Sequence, residues 1–254
     1  MSDVSKVRSY DSQSVAYHDA FAVFLACTDQ KINARRWLDQ LVETLPERRV
    51  FIDAGAGNGQ VTAWFTDRFQ RTIAIEPSPS LNADLRQSCP KAEVLPVKLL
   101  EARPGAQGDL ILCSHVLYYL ERSDWLRTLT RLAEWLSPQG ALAVVVQNHE
   151  TDCMKMLDRF RGQRFNLSVL AEEFSDKHGK GYAVERQLVP AHVTAPDLAA
   201  AYTIAEFMLN LLPMPEPPAR RALEEYVQSN FALPSGGFRF SCHQEFLLVR
   251  RRPG

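Results

Sequence analysis

Apolar positions change period several times along the chain. Tyr17, Phe21, Phe24 and Leu25 recur on one helical face, and a second helix is expected near Ala34 to Thr44. The pattern then shortens to buried runs. RRVFIDAG (48–55) ends in glycine and reads as a first strand. A helical stretch is expected from Gln60 to Phe69, then strand RTIAIEP (71–77) and a helix over Ser80 to Ser88. AEVLPV (92–97) is a weak third strand and DLILCSH (109–115) a strong fourth. Trp125, Leu129, Leu132 and Leu136 return to helical spacing, which Pro138-Gln139-Gly140 should end. ALAVVVQ (141–147) is a fifth strand.

Further on, helices are expected at Thr151 to Arg161, Leu167 to Ser175, Pro196 to Leu212 and Pro218 to Ser229. GYAVERQLVPAHV (181–193) and FRFSCHQEFLLVRR (238–251) read as the sixth and seventh strands. Strands alternating with helices imply right-handed crossovers and a sheet covered on both faces. The expected fold is therefore α/β: a Rossmann-like, seven-stranded, mostly parallel sheet with helices on both faces and an N-terminal helical cap. A single domain is expected over 1–254, with the cap at 1–48, a cofactor-binding core at 49–147, and substrate-side helices and last strands at 148–254.

Composition narrows the classes. Hydrophobic residues are 46% and charged residues 23% of 254, ordinary for a folded protein. A net charge of -1 offers no electrostatic grip on phosphate backbones, so a nucleic-acid partner is not expected. The five cysteines include no CxxC pair, and the histidines show no metal-ligand spacing, so neither a disulfide framework nor a metal site is expected. No apolar run of about 18 residues suggests a membrane span, and the polar start does not read as a signal peptide. The cytoplasm is the expected location, with the protein a monomer or homodimer.

FIDAGAGNGQ is the most informative segment. Asp53 ends the first strand, and Gly55, Gly57 and Gly59 alternate after it. Glycines let backbone approach a ligand closely, and a helix opening there would aim its amino end at it. Glu76 ends the second strand, where an acid can accept ribose hydroxyls. A nicotinamide dinucleotide is the rival ligand. Its fingerprint wants glycine at the first, third and sixth places, but the sixth here is Gln60. S-adenosylmethionine (SAM) carries no phosphate, and Asp53 suits its amine.

DAGAGNG (53–59) is similar to the first motif of class I SAM-dependent methyltransferases, and IAIEPS (73–78) to their second. DLILCSHVLYYL (109–120) resembles their fourth-strand motif, and LSPQGALAVVV (136–146) the entry to strand five. The resemblance implies the class I methyltransferase fold, SAM as cofactor, and Asp53, Gly55, Gly57, Glu76 and Ser114 as cofactor-binding residues. A thinner likeness to histamine N-methyltransferases runs through RSYDSQSVAYHDAFAVFL (8–25), HVLYYL (115–120) and PAHVTAPDLAAAYTIAEFML (190–209). It implies an acceptor-amine carboxylate at Asp19 and an acceptor contact at His115, taken as the catalytic pair. Departures at Asp152, Met156 and Cys242 remove that family's expected acceptor contacts, so histamine itself is not expected.

Tyr10, Tyr17, Tyr118 and Asn148 complete the expected substrate side: aromatic faces attract a sulfonium or ammonium, and Asn148 ends the fifth strand. Three functions stay open. The first is methyl transfer from SAM to a small-molecule amine of secondary metabolism. The second is SAM acting alone, its own amine displacing methylthioadenosine to give azetidine-2-carboxylate, as in SAM-cyclising synthases that share this fold. The third is SAM binding without catalysis.

Overall fold

A computed structural model describes residues 5–10, 14–212 and 214–253. In chain order the main elements are α1 (Val15–Cys27), α2 (Gln30–Glu43), β1 (Val50–Ala54), β2 (Arg71–Ile75), α3 (Pro79–Ser88), β3 (Glu93–Leu95), β4 (Gly108–Ser114), α4 (Trp125–Glu134) and β5 (Leu136–Gln147). They continue as α5 (Asp152–Arg161), α6 (Leu167–His178), β6 (Tyr182–Val189), β7 (His192–Ala195), α7 (Leu198–Leu209), α8 (Arg220–Phe231), β8 (Phe238–Ser241) and β9 (Gln244–Arg251). The chain divides into two compact units, each built from three segments. One holds residues 1–34, 147–165 and 189–244; the other holds 35–146, 166–188 and 245–254.

The second unit carries a seven-stranded sheet in the order β3-β2-β1-β4-β5-β9-β6. The pairs β1–β2, β1–β4, β2–β3 and β4–β5 are parallel. Phe51, Ile52, Ile73, Leu110, Ile111 and Leu112 are fully buried, as expected for strands covered on both faces. Phe65 and Phe69 pack on Phe51, with ring centroids 5.4 and 5.6 Å away.

In the first unit, α1 packs on α7 through an aromatic cluster. Tyr17, Phe21 and Phe24 surround Phe207 at centroid distances of 5.4 to 5.6 Å. Strands β7 and β8 form a separate antiparallel pair, from His192↔Ser241 to Ala195↔Phe238.

Four expectations need correction. No α-helix follows the glycine loop; Gln60 to Phe69 contains only a three-residue 3-10 turn, Thr62–Trp64. Trp64, Phe65 and Arg68 bond back to Val61, Thr62 and Phe65, three residues rather than four behind. Thr62 is drawn toward β1 by its hydroxyl, which donates to Asp53, while Phe65 and Phe69 are drawn in by burial.

The sixth and seventh runs each break in two. Pro190 has no N–H to continue a ladder, so β6 stops at Val189 and β7 takes a different partner. The second break falls at Cys242-His243, where Cys242 N–H donates to Ala191 O at 2.9 Å. The Pro138-Gln139-Gly140 stretch lies inside β5, and Leu136 is that strand's first residue rather than the last of the helical stripe.

Candidate functional site

The strand order reverses between β1 and β4, and ligands in such sheets bind beyond the carboxyl ends of the strands at that reversal. Asp53, on β1, is 2% exposed and accepts the Thr62 hydroxyl on Oδ2 at 2.7 Å. Burial pushes its pKa up to about 7; Thr62 opposes the rise and the charge of Glu76 adds to it. Cys89 and Cys113 feel the same carboxylate.

Glu76 follows β2 and is 7% exposed. Gly57 N–H donates to its Oε2 at 2.9 Å, and Ser78 N–H to its Oε1 at 2.8 Å. Its backbone carbonyl accepts from the Asn82 side-chain amide at 3.0 Å. The carboxylate is thus held at both oxygens, and each oxygen keeps a second lone pair for a hydroxyl donor.

The glycines do different things. Gly55, at φ 109°, lies under Val116: a Cβ there would fall 2.2 Å from Val116 Cγ2. Gly57, at φ 56°, has no heavy atom within 4 Å of the same point, so the space beside it is open.

Beyond β4, Ser114 is half-buried and pairs with Val145. His115 comes next with φ 59°, the sole non-glycine positive φ among the described residues. Its N–H donates to Val145 O at 2.8 Å. Its Nδ1 lies 3.3 Å from the Tyr118 hydroxyl, and the two rings stack at 5.7 Å and 28°. Tyr118 is buried in the short 3-10 turn Leu117–Tyr119.

The other expected residues lie in the first unit. Asp19 is exposed on α1, next to buried Ala20. Tyr17 is half-buried in the aromatic cluster, stacked on Phe21 at 6.4 Å. Asn148 serves the turn into α5: its side-chain oxygen accepts Glu150 N–H at 3.0 Å and its carbonyl accepts the Thr151 hydroxyl at 2.8 Å.

Tyr10 donates its hydroxyl to Glu206 Oε2 at 2.5 Å, and burial with that negative partner pushes the phenol pKa up. Residues 11–13 of the N-terminal motif lie outside the described residues.

Thr62, Val116 and Glu206 went unread in the sequence. Glu206 is 1% exposed and also accepts from the Tyr202 hydroxyl, Arg8 N–H and Arg8 Nε, each at 2.9 Å. A lone acid within the apolar run YTIAEFML was the available signal. For Thr62 the sequence offers none, and Val116 is marked only by its place in DLILCSHVLYYL.

The residues present fit SAM. Glu76 matches two adjacent ribose hydroxyls. The buried carboxylate of Asp53 matches an ammonium, and Gly57 leaves room for a ligand. A pyrophosphate would want a helix amino end, and the three-residue turn after the loop supplies none. Among the described residues no group of three or more His, Cys, Asp or Glu side chains could hold a metal. Among them, too, no helix is long and apolar enough to cross a membrane.

Sheet order, glycine turn and strand-end acid together define a SAM-binding α/β enzyme of the class I type. Residues 29–189 match the family profile described as a methyltransferase domain, and the chain belongs to that family. It is a SAM-dependent transferase, and SAM is its cofactor.

Solved structures share the fold. The N-methyltransferase NodS from Bradyrhizobium japonicum WM9, in complex with S-adenosyl-L-homocysteine, is 13% identical with a TM-score of 0.55 over 95% of this chain and 100% of that one. YcgJ from Bacillus subtilis is 15% identical with a TM-score of 0.60, covering 85% and 98%. A TehB-like SAM-dependent methyltransferase from Corynebacterium glutamicum ATCC 13032 Kitasato is 13% identical with a TM-score of 0.50, covering 87% and 88%. No curated protein matches the chain.

Proposed function

We propose that this enzyme transfers the methyl group of SAM to the nitrogen of a small-molecule amine. The observation that supports this reading is His115, an imidazole in a left-handed backbone conformation at the carboxyl end of β4. Non-glycine residues in such conformations cost on the order of 1–3 kcal/mol, and they cluster at active sites.

In this reading Glu76 accepts the ribose hydroxyls and Asp53 holds the methionine ammonium, while backbone at Gly55 and Gly57 and the Ser114 region line the pocket. Bound there, SAM supplies a sulfonium methyl electrophilic enough to need only a neutral nucleophile in line. An amine is mostly protonated at neutral pH, so a proton must leave it. His115 receives that proton, and holding the nitrogen in line contributes up to about 7–11 kcal/mol in well-oriented cases.

The test is turnover with methyl-labelled SAM and a panel of small amines, reading both products. Methylated amine together with adenosylhomocysteine is the expected result. Methylthioadenosine formed from SAM alone would replace this reading with ring closure to azetidine-2-carboxylate. Tight SAM binding with neither product would leave a binding protein. The role that the resemblance gives Asp19 is tested separately: D19N raises the KM for the amine if its carboxylate orients that substrate.

A further inference from the structure

We infer that Tyr118 is a positioning residue that sets which nitrogen of His115 carries the proton. The inference rests on the proposed role of His115 as proton acceptor. It starts from the rigidity of the segment that carries both residues. His115 is tied to β5 by its N–H on Val145 O at 2.8 Å. Five residues on, the Leu120 carbonyl accepts the indole N–H of fully buried Trp125 at 3.2 Å. Between them, Tyr119 N–H bonds to Val116 O and Leu120 N–H to Leu117 O, closing two tight turns. Val116 fills the space left by Gly55, so the segment is also wedged against the loop after β1.

Within that frame the two side chains meet. The Tyr118 hydroxyl lies 3.3 Å from Nδ1 of His115, with the rings stacked at 28°. A neutral imidazole has one protonated nitrogen and one lone pair. If Nδ1–H donates to the Tyr118 oxygen, the lone pair sits on Nε2, and Nε2 accepts a proton. If the phenol donates to Nδ1 instead, Nε2–H is a donor and the ring cannot act as a base there. The proposed reaction requires the first arrangement. The proton leaving the acceptor nitrogen goes to Nε2, and Nδ1–H stays on the phenol oxygen. The freed nitrogen lone pair forms the new N–C bond as the S–C bond breaks, with its electron pair remaining on sulfur.

Tyr118 is therefore distinct from the exposed Tyr119 beside it, which is 66% exposed. Its hydroxyl acts through His115, and its ring limits the imidazole to one plane.

The decisive measurement is nitrogen NMR of histidine-labelled enzyme bound to adenosylhomocysteine, which needs no turnover. The expected spectrum shows His115 with the proton on Nδ1 in the wild type and a shift toward the Nε2–H form in Y118F. Y118F keeps the ring and its burial; its affinity for adenosylhomocysteine should stay within about twofold. Its kcat with the amine should fall about tenfold, part of the 10²–10⁴ a positioned base contributes, with the acidic limb of the pH profile displaced. A wild-type spectrum with the proton on Nε2 would overturn the inference without any variant. So would an unchanged spectrum and pH profile in Y118F. A Tyr118-dependent tautomer in an enzyme that methylates no amine would uphold the dyad and dismiss the proposed substrate.

Discussion

The Cα of Gly55 and the side chain of Val116 occupy neighbouring space with no room for a methyl group between them: a Cβ on Gly55 would sit 2.2 Å from Val116 Cγ2. The loops after β1 and β4 are thereby locked in register. G55A should cost about 3 kcal/mol, combining overpacking with a φ of 109° that side chains rarely adopt. Adding V116A should recover part of this, since the clash goes and the backbone strain stays. Urea denaturation of the two variants and V116A alone gives the coupling energy directly.

In the proposed reading, where Asp53 holds the methionine ammonium, SAM binding depends on pH. Its folded pKa of about 7 lies above its usual value of 3.8 because it is buried. Between those values the folded state holds a proton that the unfolded state has lost. The stability of the ligand-free protein therefore falls as pH rises through that window. An ammonium partner favours the carboxylate, so SAM affinity should rise about tenfold from pH 6 to pH 8. Calorimetry in buffers of differing ionisation heat should show proton release on binding, and D53N should abolish both effects.

Removing the Glu76 carboxylate takes away the acceptor for Gly57 N–H and Ser78 N–H and, in the proposed reading, for two ribose hydroxyls. Hydrogen bonds to a charged group are worth about 1.5–3 kcal/mol each. E76A should weaken SAM binding about 100-fold or more in titration calorimetry.

Glu206 holds the N-terminal segment by a different kind of contact. Arg8, Tyr10 and Tyr202 all donate to it, and Val7 N–H and Arg220 N–H bridge to Pro218 and Ser5 carbonyls. Burial would raise its pKa, but the donors win and hold it below the usual 4.5. A depressed folded pKa means stability that is full above pH 4.5 and lost as pH falls through the folded value. E206Q should flatten this acid limb and destabilise the fold by about 2 kcal/mol, through donors left facing a poorer acceptor. Acid unfolding followed by circular dichroism compares the two.

His115 trades stability for conformation. H115G removes the side-chain clash at φ 59° and should leave the fold as stable or up to about 1 kcal/mol more stable. Activity should collapse while SAM binding persists. Thermal melts alongside turnover separate the two effects.

Much of the sheet was readable because buried parallel strands are continuous apolar runs, and β1, β2 and β4 stand out as such. The glycine turn and Glu76 were readable because their spacing follows from strand geometry. The turn at Thr62–Trp64 was not, because Phe65 and Phe69 keep helical spacing while packing on Phe51, and Thr62 is held by Asp53; both partners lie on β1, outside the segment itself. The left-handed backbone at His115 was equally hidden, since the residue type permits that conformation without demanding it. The split strands were half legible: Pro190 was visible, but the exchange of partner that follows it depends on a strand about 45 residues further on.

Three chain segments make each unit, alternating from one to the other. No single cut through the chain therefore separates them. Removing residues 189–244 would take α7, α8, β7 and β8 from one unit while removing the chain that links β6 to β9 in the other. Such a molecule resists dissection into fragments, and contacts between residues far apart in sequence should make its folding slow compared with that of a chain built from local contacts.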